Sequence, residues 1–213
     1  PTKGLQGRHI SLWASHGRYF NNAKNEWQWQ RPYLFCTTED LFTQTIVVPF
    51  LMPMLEKAGA NVFSPRERDW QTNEVIVDND IRNNGVYKEC NMEQKWIDGG
   101  MSGFSPDGTE TLYGSANPFM WGTTRKAKAT KTPTCSISYQ PLIPDDGRYA
   151  VYVSYPTIGK SISDAEYIVI HKGERTVFKV NQQMGGGTWV YLGTFDFTKG
   201  CSTNNMVILT NAS

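Results

Sequence analysis

The stretch Asp146-Gly147-Arg148-Tyr149-Ala150-Val151-Tyr152-Val153-Ser154-Tyr155 alternates along its length and stops at Pro156. Tyr149, Val151, Val153 and Tyr155 fall on one side and Arg148, Ala150, Tyr152 and Ser154 on the other, the period of two expected of a half-buried strand. Working outward, Tyr167 to His171 and Thr176 to Val180 flank a turn at Lys172-Gly173. Thr188 to Phe197 and Met206 to Thr210 follow, and Val75-Ile76-Val77 precedes Asp78-Asn79-Asp80. Short runs parted by Gly, Pro, Asn and Asp predict an all-β sandwich of jelly-roll type. The Gly-rich segment from Ile97 to Lys131 predicts long loops. Gly185-Gly186-Gly187 predicts a tight β-turn, because no Lys-Ser/Thr pair and no helix follow as a phosphate loop requires. The charges of Arg125, Lys126, Lys128 and Lys131 read as a solvated strand or loop.

The N-terminal part has a different grammar. Residues 8–14 read as a short strand ending in the polar turn Ser15-His16-Gly17-Arg18. After an aromatic, Gln-rich stretch, Thr38 is suited to cap a helix whose first turn carries Glu39 and Asp40, where the helix dipole favours negative charge. Leu41, Val48, Leu51, Leu55 and Ala58 recur at helical spacing, and Gly59 is the expected stop. Pro49 and Pro53 each remove an internal hydrogen bond, which predicts a kink near Val48. A second strand at Ala60 to Phe63 completes a β-α-β unit. The fold class expected is α+β overall: a partial α/β (β-α-β) lobe over residues 1–73 and an all-β, jelly-roll-like sandwich over 74–213. Two parallel strands and one helix cannot bury both sides of a sheet, so a downstream segment of the same protein is expected to complete the lobe.

The chain has 213 residues with 21 Lys and Arg against 20 Asp and Glu, a balance that argues against nucleic acid or anionic lipid as the partner. No run of about 18 apolar residues is present to span a bilayer, and the Pro1 start reads as a processed one. Cys36, Cys90, Cys135 and Cys201 include no closely spaced pair of the kind that builds a zinc ribbon or a redox motif. The richness in Trp, Tyr, Asn, Gly and Thr suits an extracytoplasmic glycan-handling protein: periplasmic, outer-surface or secreted.

A hydrolytic zinc site needs nitrogen or oxygen ligands from separate elements and one open position for water. His16 after a strand and Glu39 at a helix start can meet, since strand C-ends and helix N-ends share one edge of an open sheet. The string His16-Gly17-Arg18, then Glu39-Asp40-Leu41, Met54 to Val62, and Arg66-Glu67-Arg68-Asp69 resembles the first half of the zinc-dependent N-acetylmuramoyl-L-alanine amidases. The resemblance implies that His16 and Glu39 ligate Zn, with a third ligand and a catalytic glutamate supplied elsewhere. His9 and His171 do not fit the third position, so no catalytic residue is assigned. Arg66, Arg68 and Asp69 are expected to fix the sheet edge.

The segments Val75 to Asp80, Asp146 to Tyr155, Asp164 to Tyr167 with His171, and Asn181 to Phe195 are similar to the golvesin and xanthan-lyase C-terminal type of β-sandwich, over about residues 75–213. That resemblance implies a carbohydrate-binding-like module inserted in an amidase-like domain and lacking its last strand. Sugar faces stack on exposed aromatics beside amide or carboxylate groups. Trp121, Tyr113, Trp96 and Tyr191 are the aromatic candidates, with Trp189 more suited to a core, and Asn181 and Gln182 the polar ones. Two functions follow as expectations: a zinc amidase-like hydrolase acting on peptidoglycan or polysaccharide, or a non-catalytic glycan-binding module with a vestigial amidase lobe.

Overall fold

A computed structural model describes residues 4–66, 68, 73–81, 83–105 and 117–213. The chain divides into two compact units, residues 1–68 and 69–213.

In the first unit, β1 (His9–Ser11) pairs in parallel with β6 (Asn61–Phe63), His9 opposite Asn61 and Ser11 opposite Phe63. Between them lie the hairpin β2 (Arg18–Asn21) and β3 (Glu26–Trp29), the short pair β4 (Tyr33–Leu34) and β5 (Thr37–Thr38), and a helix. Thr38 caps that helix, its Oγ1 accepting from the Leu41 amide at 3.1 Å, a contact worth about 1 kcal/mol. The helix runs as α1 (Glu39–Ile46), a π-helical segment (Val47–Leu51) and α2 (Met52–Lys57). The expected kink is thus a wide turn that absorbs Pro49, whose missing N–H the regular ladder could not accommodate. Gly59, at φ +100°, stops the helix. Met52 is buried, while Phe42, Ile46, Phe50 and Met54, each four residues from the next, are exposed as an apolar ridge.

The second unit is a two-layered sandwich. One layer is a five-stranded antiparallel sheet ordered β13 (Glu174–Val180), β12 (Ala165–His171), β15 (Met206–Thr210), β10 (Cys135–Pro141), β7 (Gly85–Asn91). The other contains β11 (Gly147–Val153) paired with β14 (Val190–Phe197), with a bulge between Val151 and Tyr152. Register places Phe178, Tyr167, Leu209, Ile137 and Glu89 side by side across the large sheet. Val153 and Val190 pack on Tyr167 and Val180, and Phe197 and Leu192 on Val169, closing the core between the layers. Tyr155 belongs to that core, and its hydroxyl donates to the Met184 carbonyl at 2.9 Å. A third pair, β8 (Ile97–Asp98) with β9 (Arg125–Lys126), packs near Trp96.

Two sequence expectations change. Val75–Val77 is not a strand: residues 73–78 run irregularly into the Asp78–Asp80 turn. The strand β7 instead begins at Gly85, whose φ of +154° and approach to the Gln140 carbonyl leave no room for a Cβ. Arg125 is not a solvated charge. Its Nε and Nη2 donate to Glu89 at 2.6 and 3.1 Å, and Tyr87 OH donates to the same carboxylate at 2.6 Å, so Glu89 can face inward. Lys126, Lys128 and Lys131 do lie exposed. The chain's last residues pack well: Asn211 accepts from the Thr134 and Cys135 amides and donates to the Lys128 carbonyl and Thr134 Oγ1, all within 3.1 Å.

Candidate functional site

The first unit concentrates its polar chemistry where β1 runs out and α1 begins. Thr43 Oγ1 donates to the Ala14 carbonyl at 3.1 Å, which fixes the first turns of α1 against the segment leading to His16. Gly17 is buried beneath Arg66, and a Cβ there would run into the Arg66 guanidinium. Neighbouring Arg68 donates to Glu56 Oε1 at 2.7 Å and to the Val62 carbonyl at 3.2 Å, tying the chain after β6 to α2 and to β6 itself. Asp69 lies outside the described residues.

The residue brought to His16 is one step beyond the one expected. Asp40 is 0% exposed, and its Oδ1 stands 3.8 Å from His16 Nδ1. Its Oδ2 accepts from the Arg31 amide at 2.9 Å, while Oδ1 has no hydrogen-bond donor among the described residues. Arg31 then folds over the ring, placing Nε 3.2 Å from Nδ1 and Nη2 3.1 Å from Nε2. Ser15 Oγ lies 3.3 Å from Nδ1. Glu39 points to solvent at the helix head. His9 lies against Phe63, and His171 stacks on Phe195 with Nε2 2.9 Å from Thr176 Oγ1.

Zinc takes at least three protein ligands. His16 and Glu39 offer two, and among the described residues no three His, Cys, Asp or Glu side chains gather in a group that could hold a metal. At 3.8 Å the buried Asp40 carboxylate is too far from Nδ1 for the hydrogen bond by which metal-ligating imidazoles are held. Among the described residues, His16 and Glu39 therefore fall short of a zinc site by at least one ligand.

In the second unit, the six glycan candidates separate by burial and bonding. Trp96, 8% exposed, packs on Cys135 and Ile137, so its faces are closed to a sugar. Gln182 donates to Tyr167 OH at 2.9 Å, and Asn181 accepts from the Gln183 amide at 3.0 Å in a local turn. Tyr191 pairs with Tyr152, ring centroids 5.4 Å apart, and its hydroxyl meets Thr194 Oγ1 at 2.7 Å. Tyr113 lies outside the described residues. Trp121, 39% exposed, follows a short 3-10 turn (Pro118–Met120) and has the best-presented ring of the candidates whose side chains are described.

The backbone after Trp121 is held tightly. Gly122 and Gly103 exchange amide–carbonyl hydrogen bonds at 2.9 and 2.8 Å. Asp80 accepts from the Thr123 amide at 2.6 Å, and Asn79 donates to Thr123 Oγ1 at 2.7 Å. A Cβ on Gly122 would strike the Phe104 carbonyl. Beside Asp80, burial pushes Asp78 up to about 6, against the lowering effect of the Asp80 amide. Trp189, with Phe104 and Phe119, forms an aromatic trio with centroids 4.9 to 5.6 Å apart, in line with the packing role expected of it. Gly185 and Gly187 have positive φ, the turn geometry expected of the Gly run.

No helix among the described residues is long and apolar enough to cross a membrane. No curated protein matches the chain. Among solved structures, it is similar to a Paenibacillus xanthan lyase at 22% identity and a TM-score of 0.41. That alignment covers 59% of this chain and 11% of the other, so the chain spans about a tenth of that protein's length. Residues 114–213 match the family described as the Golvesin C-terminal domain.

Proposed function

We propose that the chain belongs to an extracytoplasmic protein directed at polysaccharide or cell wall, in which the sandwich recognises glycan and the first unit is half of a zinc amidase-like lobe. The Golvesin C-terminal domain match over residues 114–213 is the observation that carries the sandwich part of this reading. Trp121 supports it: a half-exposed indole is anchored by a rigid glycine bridge beside the polar Asn79-Asp80-Thr123 cluster. In the first unit, His16 and Glu39 would hold zinc together with ligands from a segment that also covers the ridge of Phe42, Ile46, Phe50 and Met54. Zinc, when bound, supplies a Lewis acid that activates water and polarises an amide carbonyl. The lactyl-amide bond of peptidoglycan is the proposed target.

A second reading, a glycan-binding or adhesion module without catalysis, is favoured by the Arg31 guanidinium, which rests against both ring nitrogens of His16. Binding of the chain to peptidoglycan sacculi and to a panel of soluble polysaccharides tests the common part. Trp121→Ala should weaken binding roughly five- to tenfold, the equivalent of about 1 kcal/mol of stacking. Equal binding by Trp121→Ala and the unaltered chain would remove Trp121 from the site.

A further inference from the structure

We infer that the β2–β3 hairpin of the first unit is a binding face for a carboxylate-bearing polysaccharide, in which Trp27 takes the face of a sugar ring and Arg18 its acid group. On the reading of the protein as glycan-directed, this is a second site, outside the sandwich and selective for acidic sugars.

Pairing of Arg18 with Trp29 and of Phe20 with Trp27 sorts the hairpin into two unlike faces. Tyr19, Asn21, Glu26 and Gln28 share one, where the polar groups satisfy each other: Asn21 Nδ2 donates to Gln28 Oε1 at 2.9 Å, and Gln28 Nε2 donates to Glu26 Oε1. Arg18, Phe20, Trp27 and Trp29 share the other, three rings and a cation. Phe20 meets Trp27 at 72° with centroids 5.7 Å apart, so neither ring lies flat on the other, and Trp27 stays 55% exposed. The Arg18 guanidinium sits 5.6 Å above the Trp29 ring, and its Nη2 donates to the Trp27 carbonyl at 3.1 Å. It is thus anchored on the hairpin, with its other N–H groups unused among the described residues.

Charge gathers at the root of the same hairpin. The Gln30 amide donates to the Gly17 carbonyl at 3.1 Å, carrying the ladder down to the turn where Arg31 lies on the His16 ring and Arg66 on Gly17. Three guanidiniums therefore flank the consecutive residues 16–18, and none of them forms an ion pair among the described residues. The Asp40 carboxylate beside them is fully buried and already takes the Arg31 amide. Guanidinium groups in this state suit a carboxylate, which they meet in a two-point fork. The exposed indole suits a flat C–H surface. A uronic acid residue offers both on one ring. The chain as a whole carries a net charge of only +1, which argues against a nucleic acid or an anionic bilayer as the occupant.

The probes are oligomers of alginate and of polygalacturonate, each compared with its carboxyl-reduced counterpart on the same chain. The acids should bind at least about tenfold more tightly than the reduced forms at low salt, with the difference shrinking as NaCl is added. In proton–nitrogen spectra of the labelled chain, the indole Nε1–H signals of Trp27 and Trp29 should shift during the titration. Trp27→Ala should weaken binding of the acids about five- to tenfold, and Arg18→Gln should cut the preference for acid over reduced oligomer to within about threefold. No binding of either acid, equal binding of acid and reduced oligomers, or stationary Trp27 and Trp29 signals on binding overturns the proposal without recourse to a variant. Equal affinity for a single-stranded oligonucleotide overturns the sugar assignment as well. Trp121→Ala separates this site from the sandwich. Loss of acid binding in Trp121→Ala, with both hairpin variants unchanged, overturns the hairpin site and leaves the sandwich reading standing. The reverse pattern supports the hairpin site and counts against the sandwich.

Discussion

Replacing Asn211 by Ala removes four hydrogen bonds at the seam between β15, β10 and the segment after β9. The amides of Thr134 and Cys135 lose their acceptor, and the Lys128 carbonyl and Thr134 Oγ1 lose a donor. Thr134 is half-buried, so water can replace part of what it loses; Cys135 is fully buried and its amide cannot be rehydrated in place. One buried orphan costs about 1–3 kcal/mol and each rehydrated bond about 0.5–1, giving a loss of about 3 kcal/mol. At about 1.4 kcal/mol per tenfold, exchange of the β10 amides governed by opening of the sheet should accelerate by about a hundredfold. Hydrogen exchange with mass spectrometry on peptides spanning 135–141 and 206–212 measures it. Gln183→Ala, which removes only an exposed contact to the Ser161 carbonyl, is the control and should shift exchange by less than about threefold. Equal exchange in the two variants would refute the idea that Asn211 stabilises this edge of the sandwich.

Two further predictions concern charge. Asp78 is held up to about 6 from 3.8 by burial, so the folded state binds more protons than the unfolded one between those values. Its contribution to the stability of the second unit is therefore greatest at low pH and is lost as pH rises from about 4 to 6; Asp78→Asn should flatten that slope and stabilise the neutral protein by about 1 kcal/mol after screening, as read by urea unfolding across pH. Glu89 goes the other way, its carboxyl lowered chiefly by the Arg125 hydrogen bond, so its contribution is present at neutral pH and lost on acidification. Arg125→Met should cost about 3 kcal/mol by stranding that carboxylate, and the further change Glu89→Gln should recover part of the loss. A double variant no more stable than the single one would contradict the assignment.

The sandwich was legible where alternation used large side chains. Strands β11 to β15 stand close to the runs of Tyr, Val, Ile and Phe that predict them. The strands β7 and β10 escaped, because Gly85–Asn91 carries Lys88 and the inward Glu89, and Cys135–Pro141 alternates its apolar residues with small serines. An inward carboxylate is readable only once Arg125, 36 residues away, is known to meet it. In the first unit, Thr38, Gly59 and the proline-induced break were visible because local backbone chemistry sets them. The hairpin of β2 and β3 was not seen as strands, since its Trp-Gln alternation resembles a polar loop. At the candidate site, sequence singled out His16 but not Asp40. Which of two adjacent helix-start carboxylates is buried depends on the rotation of α1 against Ala14, a tertiary fact.

The strand order of the large sheet has a consequence for synthesis. The strand β15 lies between β12 and β10, yet it follows both in the chain, and β7 reaches β12 only through β10 and β15. Until residues near 210 leave the ribosome, no strand can join the β12–β13 pair to the β7–β10 pair, and each keeps an open edge where β15 later pairs. Completion of the five-stranded sheet thereby waits for a single five-residue strand that joins the halves. A nascent chain stalled before that point would offer two sticky edges to its neighbours, which makes β15 the segment whose timely arrival separates folding from aggregation.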